Sequence, residues 1–141
     1  MQTFLPYRSF TATAAILDRQ RLGKQRIEVL QILKALNGEG RGWKTHPAVL
    51  MWRNHEQTLI DYGVEICDEW IARGYKDTCR DKILSYRKVF LEGTDQPSWL
   101  GDVLFHKSHK SNLKRKDPDY YRFNVPSDLE YVWPVSTEPV L

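Results

Sequence analysis

Between residues 11 and 36 the apolar side chains recur at helical spacing: Ala15, Leu22, Val29, Leu30, Leu33 and Leu36 fall largely on one side of a single helix. Serine and threonine capping candidates stand at its start, and Asn37-Gly38 marks its end. No convincing β alternation occurs anywhere else in the chain. A stripe this long has to be covered by other helices, so the sequence predicts a mainly α fold.

The remaining elements follow from punctuation. Pro6 fixes φ and keeps the opening segment, up to Ser9, extended. Gly23 predicts either a kink in the long helix or the close approach of another backbone. Residues 38–43 form a glycine-rich loop too irregular to cradle phosphate. His46-Pro47 opens a second helix, with Pro47 suited to the first helical position. Its stripe is Leu59, Gly63, Ile66 and Trp70, and Arg73-Gly74 closes it. Asp77 is a cap for a third helix reaching about Phe90, residues 92–98 are a loop, and a fourth, basic helix covers residues 102–116. After Pro118 comes Tyr120-Tyr121-Arg122, then an irregular tail with Pro126, Pro134 and Pro139. The expectation is a compact bundle of about four helices with an irregular C-terminal tail.

A chain of 141 residues suits one domain spanning residues 1–141, and 41% hydrophobic against 28% charged residues is an ordinary globular balance. No apolar run approaches the roughly 18 residues of a membrane span. MQTFLPYRSF lacks the charged start and apolar block of a signal peptide, and two cysteines make no disulfide framework. These features predict a reduced, cytoplasmic protein that engages no membrane.

Net charge is only +3, but its distribution is uneven. Residues 19–26 carry four basic side chains and no acid, and residues 107–116 carry five and no acid. Five tryptophans accompany them. Basic segments with aromatics nearby are the footprint of nucleic-acid binding, against which stands a plainer reading of solvated helix faces over a Trp-rich core. On the plainer reading the chain is a helical interaction protein.

Among groups that carry chemistry, His106 and His109 share a helix face but have no carboxylate or cysteine at ligand spacing, which argues against a metal site. Dinucleotide and phosphate-loop fingerprints and the G-x-S-x-G elbow are missing. Cys67 lies on the apolar stripe as a buried, inert thiol. Trp43 and Trp52 are candidates for stacking on bases, with a core position favoured for Trp52, and Trp70 belongs to the core. Glu28 is the only acid between Asp18 and Glu39, and it shares a helix face with Lys24 and Arg21. Two readings stay open for it: an i,i+4 ion pair, or an acid/base group placed where a polyanion docks.

LDRQRLGKQRIE, ending in Glu28, resembles the first long helix of the pyrimidine-dimer DNA glycosylases, in which a Gln-x-Leu sequence is followed six residues later by a glutamate. Gln20, Leu22 and Glu28 keep that spacing. GWKTHPAVLMWRNH at residues 42–55 is similar to the family's histidine-proline helix opening, and EWIARGY at residues 69–75 to the end of its second helix. SHKSNLKRKDPDYY at residues 108–121 resembles its basic helix leading into an aromatic loop. The resemblance implies a compact helical enzyme without metal or organic cofactor, a monomer acting on damaged double-stranded DNA.

It implies a glycosylase with coupled abasic-site lyase, in which the chain's α-amine attacks C1′ of a damaged nucleotide and an imine leads to β-elimination. An α-amine is nucleophilic at neutral pH without special burial. Residue 2 is the bulky Gln2, so Met1 is expected to be retained and its amine to react; the Gln2 amine follows if Met1 is trimmed, with Thr3 a remote third choice and Lys24 a substitute imine former. Glu28 would stabilise the cationic sugar and move protons. Arg21, Lys24, Arg26, Lys114, Arg115 and Lys116 would hold phosphates, Tyr120 and Tyr121 would contact the damaged site, and His46 would either enter the cleft or cap its helix. The family's arginine just before the glutamate is Ile27 here. The alternatives are a non-catalytic nucleic-acid-binding module and a glycosylase for a different modified base.

Overall fold

A computed structural model of the chain describes residues 1–39 and 45–134. Among them lie six α-helices and no strand: α1 (Phe10–Ile16), α2 (Arg19–Leu36), α3 (Pro47–Leu50), α4 (Glu56–Ala72), α5 (Arg80–Ser85) and α6 (Val103–Lys116), with a 3-10 turn at Tyr86–Lys88. The mainly α expectation therefore stands, and the count of about four helices does not.

The extra helices arise where side chains outcompete the helical backbone. The segment expected to run unbroken from residue 11 to 36 divides at Leu17 and Asp18. Asp18 adopts extended backbone angles and its carboxylate accepts from the Arg21 N–H at 3.3 Å, starting α2 afresh. On the other side of the break, Arg73 donates to the carbonyls of Ala14, Ala15 and Leu17, satisfying the end of α1 from another helix. Ala15, read as part of the apolar stripe, is consequently exposed. The helix opened by His46-Pro47 likewise lasts one turn; Asn54 enters the left-handed region at φ 71°, and the chain restarts as α4. Asp77 serves α5 as expected, its carboxylate accepting from Cys79 and Arg80 N–H, but α-helix gives way to a 3-10 turn before Phe90. Asp102 caps α6 through the Phe105 N–H at 2.9 Å.

α4 is the hub, packing against α1, α2, α5 and the 3-10 turn. Close approach at its centre depends on Gly63: a Cβ there would sit 2.7 Å from Val29 Cγ1 and 3.2 Å from Ile83. What comes close to Gly23 is the ring of Trp70, 2.9 Å from where a Cβ would stand, and not a second backbone. Trp52 is wholly buried, stacked on Tyr62 and edge-on to Trp99. Trp43 and Pro139 lie outside the described residues.

The opening segment has no regular secondary structure and bends at residues 6–8 rather than running straight to Ser9, and Thr3, Phe4 and Leu5 run through the core. Having no sheet to pair with, this backbone is met by side chains. The Leu5 N–H donates to His109 Nδ1 at 2.9 Å, and its carbonyl lies 2.7 Å from His106 Nδ1. His106 Nε2 in turn accepts from the Gly101 N–H, which assigns the ring proton to Nδ1. Burial, with a smaller push from His106, drives His109 down to about 3, and burial lowers His106 as well.

Two outcomes follow from this packing. His109 is held neutral in the fold while an unfolded histidine protonates near 6.5, so its contribution is fully present above that pH and drains away as pH falls from 6.5 towards 3, at up to about 1.4 kcal/mol per pH unit. Denaturant titrations across that window should show the slope, and His109→Asn, which keeps an acceptor for the Leu5 N–H, should flatten it. Gly63→Ala should destabilise by about 1–3 kcal/mol in the same titration, because Val29 has to move.

Candidate active site

α2 presents Gln20, Arg21, Lys24, Gln25 and Glu28 to one side, the i, i+4 and i+8 positions of a single face. The chain terminus lies against that face. Met1, Gln2 and Phe4 join those α2 residues and Lys116, from the last turn of α6, in lining a cleft of about 400 Å³. Arg21, Lys24 and Lys116 thus come from two helices to surround the amine-bearing end of the chain.

Glu28 sits at the inner wall, only 8% exposed. Burial raises its carboxyl above the ordinary glutamate value, opposed by the positive chain terminus and Lys24 and by hydrogen bonds from the Gln2 N–H and Gln25. Its Oε2 accepts from Gln25 Nε2 at 2.7 Å, and its Oε1 lies 4.0 Å from the ammonium of Lys24. Lys24 itself is largely exposed. A desolvated carboxylate beside an amine, rimmed by cations, can exchange protons with a reacting group and stabilise positive charge forming next to it.

Other residues expected at the site are placed elsewhere. Arg26 points away from the cleft: its guanidinium pairs with Asp77 at 2.6 Å and lies 4.4 Å over the Trp70 ring, tying α2 to the segment after α4. Lys114 donates to the carbonyls of Phe123 and Val125, and Arg115 to those of Ser127 and Leu129, so both hold the C-terminal tail. Tyr121 is buried; its hydroxyl accepts from the Asp18 N–H at 2.9 Å and donates to the Asp18 carboxylate, securing the start of α2. Tyr120 is half exposed and packs edge-on to Tyr121. Arg21 faces the cleft while also pairing with Asp18 at 3.2 Å. His46 caps α3, its Nδ1 accepting from the Ala48 N–H at 3.0 Å, and burial together with the nearby α-amine lowers its pKa. The capping reading of His46 therefore describes this side chain, which is not among the residues lining the cleft. Among the described residues, no three His, Cys, Asp or Glu side chains gather as metal ligands.

Gln25 escaped the sequence reading. It is completely buried and bonds to both Glu28 and Gln2. The signal was present: Gln25 falls three residues after Leu22 and four before Val29, a polar residue on the apolar stripe itself. Tyr131, whose hydroxyl bonds with the Gln2 side chain, carried no such signal, since it lies in an aperiodic tail.

The chain terminus and a buried glutamate thus share one cleft rimmed by cations. The chain belongs to the pyrimidine dimer DNA glycosylase family, whose model matches residues 1–83. No curated protein and no solved structure matches it. The family is one of DNA-repair glycosylases, and its substrate is damaged DNA. No described helix is long and apolar enough to cross a membrane.

The cations should separate by salt dependence. Lys116→Gln should reduce the slope of log affinity for damaged duplex against log salt by about one, as expected for a lost phosphate contact. Lys114→Gln should leave the slope near that of the parent and instead release the tail, read as faster proteolysis beyond Val125.

Proposed function

We propose that the chain is a glycosylase with coupled abasic-site lyase that acts on pyrimidine dimers in double-stranded DNA and uses its terminal α-amine as nucleophile. The observation that carries this reading is the shared cleft: Met1 and Gln2 line the same wall as Glu28, and Arg21, Lys24 and Lys116 stand around them. The cations are placed for phosphates on either side of an extruded lesion.

The neutral Met1 amine attacks C1′, and the bond to the damaged base breaks with its electron pair leaving on the base. Glu28, ionised, stabilises the positive charge developing on the sugar. The amine then loses its protons, the sugar ring opens to an imine with C1′, and loss of a proton from C2′ expels the 3′ phosphate. Glu28 is the group within the cleft suited to move these protons, since burial brings its carboxyl closer to neutrality. Water finally hydrolyses the imine and regenerates the amine.

Borohydride reduction on duplex carrying a thymine dimer or an abasic site, followed by mass spectrometry of the peptides, tests the reading. The expected result is an adduct on the Met1 amine, lost when the terminus is extended. Glu28→Gln should still bind the duplex and lose strand cleavage by about 10²–10⁴-fold. An adduct on Lys24, or cleavage that survives an extended terminus, would overturn the assignment of the nucleophile.

A further inference from the structure

We infer that Gln25 is the positioning residue of this site: one buried amide holds the terminal segment and Glu28 in fixed register, setting the distance between the reacting amine and the carboxylate. The inference rests on the function proposed above and deepens it.

Gln25 is 0% exposed, so each of its polar atoms needs a partner. A primary amide has two N–H donors and an oxygen with two lone pairs; both donors and one lone pair have partners of their own here, and the other lone pair faces the Tyr62 hydroxyl, whose single proton is shared with the Phe4 carbonyl. Nε2 donates to the Gln2 carbonyl at 2.9 Å and to Glu28 Oε2 at 2.7 Å. Oε1 accepts from the Phe4 N–H at 3.1 Å and lies 2.8 Å from the Tyr62 hydroxyl, which is itself 2.6 Å from the Phe4 carbonyl. Rotating the amide by half a turn would set its oxygen against two acceptors and its N–H groups against the Phe4 N–H. The orientation is therefore unique.

Two consequences concern the reaction. The Gln2 carbonyl and the Phe4 N–H are the groups a neighbouring strand would bind, so the amide supplies the edge that the terminal segment lacks, and it does so one helical turn from Glu28. The second consequence concerns the carboxylate oxygens. Donation to Oε2 fixes the rotation of the carboxylate and turns Oε1 towards Lys24. Tyr62 acts behind the amide and has no place in the cleft lining. A buried glutamine needed only for packing would show none of this coupling to Glu28.

Gln25→Glu is the discriminating variant. It keeps an acceptor for the Phe4 N–H and replaces the donor towards Gln2 and Glu28 with a second carboxylate oxygen. Like charges at that distance hold a proton between them, so the acid limb of the cleavage pH profile should move to higher pH by a unit or more. The rate constant at neutral pH should fall by about 10²-fold, with KM for damaged duplex within about threefold of the parent, because the phosphate contacts are untouched. Gln25→Met, similar in volume and without polar atoms, should lose a similar factor in rate while its acid limb moves up by less than in Gln25→Glu, because only a hydrogen bond to the carboxylate is lost and no second charge is added. A parent-like rate and pH profile in either variant overturns the inference.

A measurement on the unmodified protein covers the case in which neither variant folds. The ¹⁵N resonance of the Gln25 side-chain amide should titrate with the same midpoint as Glu28, and an amide indifferent to that titration overturns the inference. This reading does not depend on catalysis. Failure to trap an imine with the parent would therefore remove the proposed function and leave the register of Gln25 and Glu28 separately decided.

Discussion

A non-helical backbone buried among helices is the constraint on which the rest of this structure depends. Thr3, Phe4 and Leu5 lie in the interior with no strand beside them, and each unpaired N–H or carbonyl there would be costly. Helical side chains supply the missing partners: Gln25 from α2, Tyr62 from α4, and His106 and His109 from α6. Three helices thus converge on one short segment. Because that segment begins at the chain terminus, holding it also delivers Met1 and Gln2 to the cleft.

The same arrangement explains the electrostatics. Packing the terminus against α2 desolvates Glu28, which raises its carboxyl, and brings a positive end of the chain and Lys24 near enough to oppose that rise. Basic residues divide accordingly into two populations. Arg26, Arg73, Lys114 and Arg115 spend their donors on Asp77, Glu69 and main-chain carbonyls, and they hold helices and tail together. Arg21, Lys24 and Lys116 line the cleft. Charge counts along the sequence cannot distinguish these populations, because the partners of the first, Glu69 apart, lie outside the helix that carries the basic residue.

Much of the fold was legible from local chemistry. Asn37-Gly38 and Arg73-Gly74 end α2 and α4, Asp102 starts α6, and Asp77 serves the start of α5, each through hydrogen bonds within a few residues. The errors share a physical origin. Residues 11–36 carry an unbroken helical pattern, yet α1 ends because Arg73, remote in sequence, takes up its carbonyls and Asp18 recaps the chain with help from Tyr121. Asp18 is a local capping signal, but the end of α1 before it depends on Arg73, 56 residues from Leu17 in the chain.

For the site, the sequence by itself determined the α2 face: the spacing of Gln20, Arg21, Lys24 and Glu28 places them together on any helix, whatever surrounds it. It also carried the family resemblance that the match over residues 1–83 bears out. Only the tertiary structure decided that the chain terminus meets that face, that Lys116 joins it, and that Arg26, Lys114 and Arg115 do not. Helical periodicity is a property of neighbouring residues, whereas the position of a non-helical terminus depends on which distant side chains can satisfy its buried backbone.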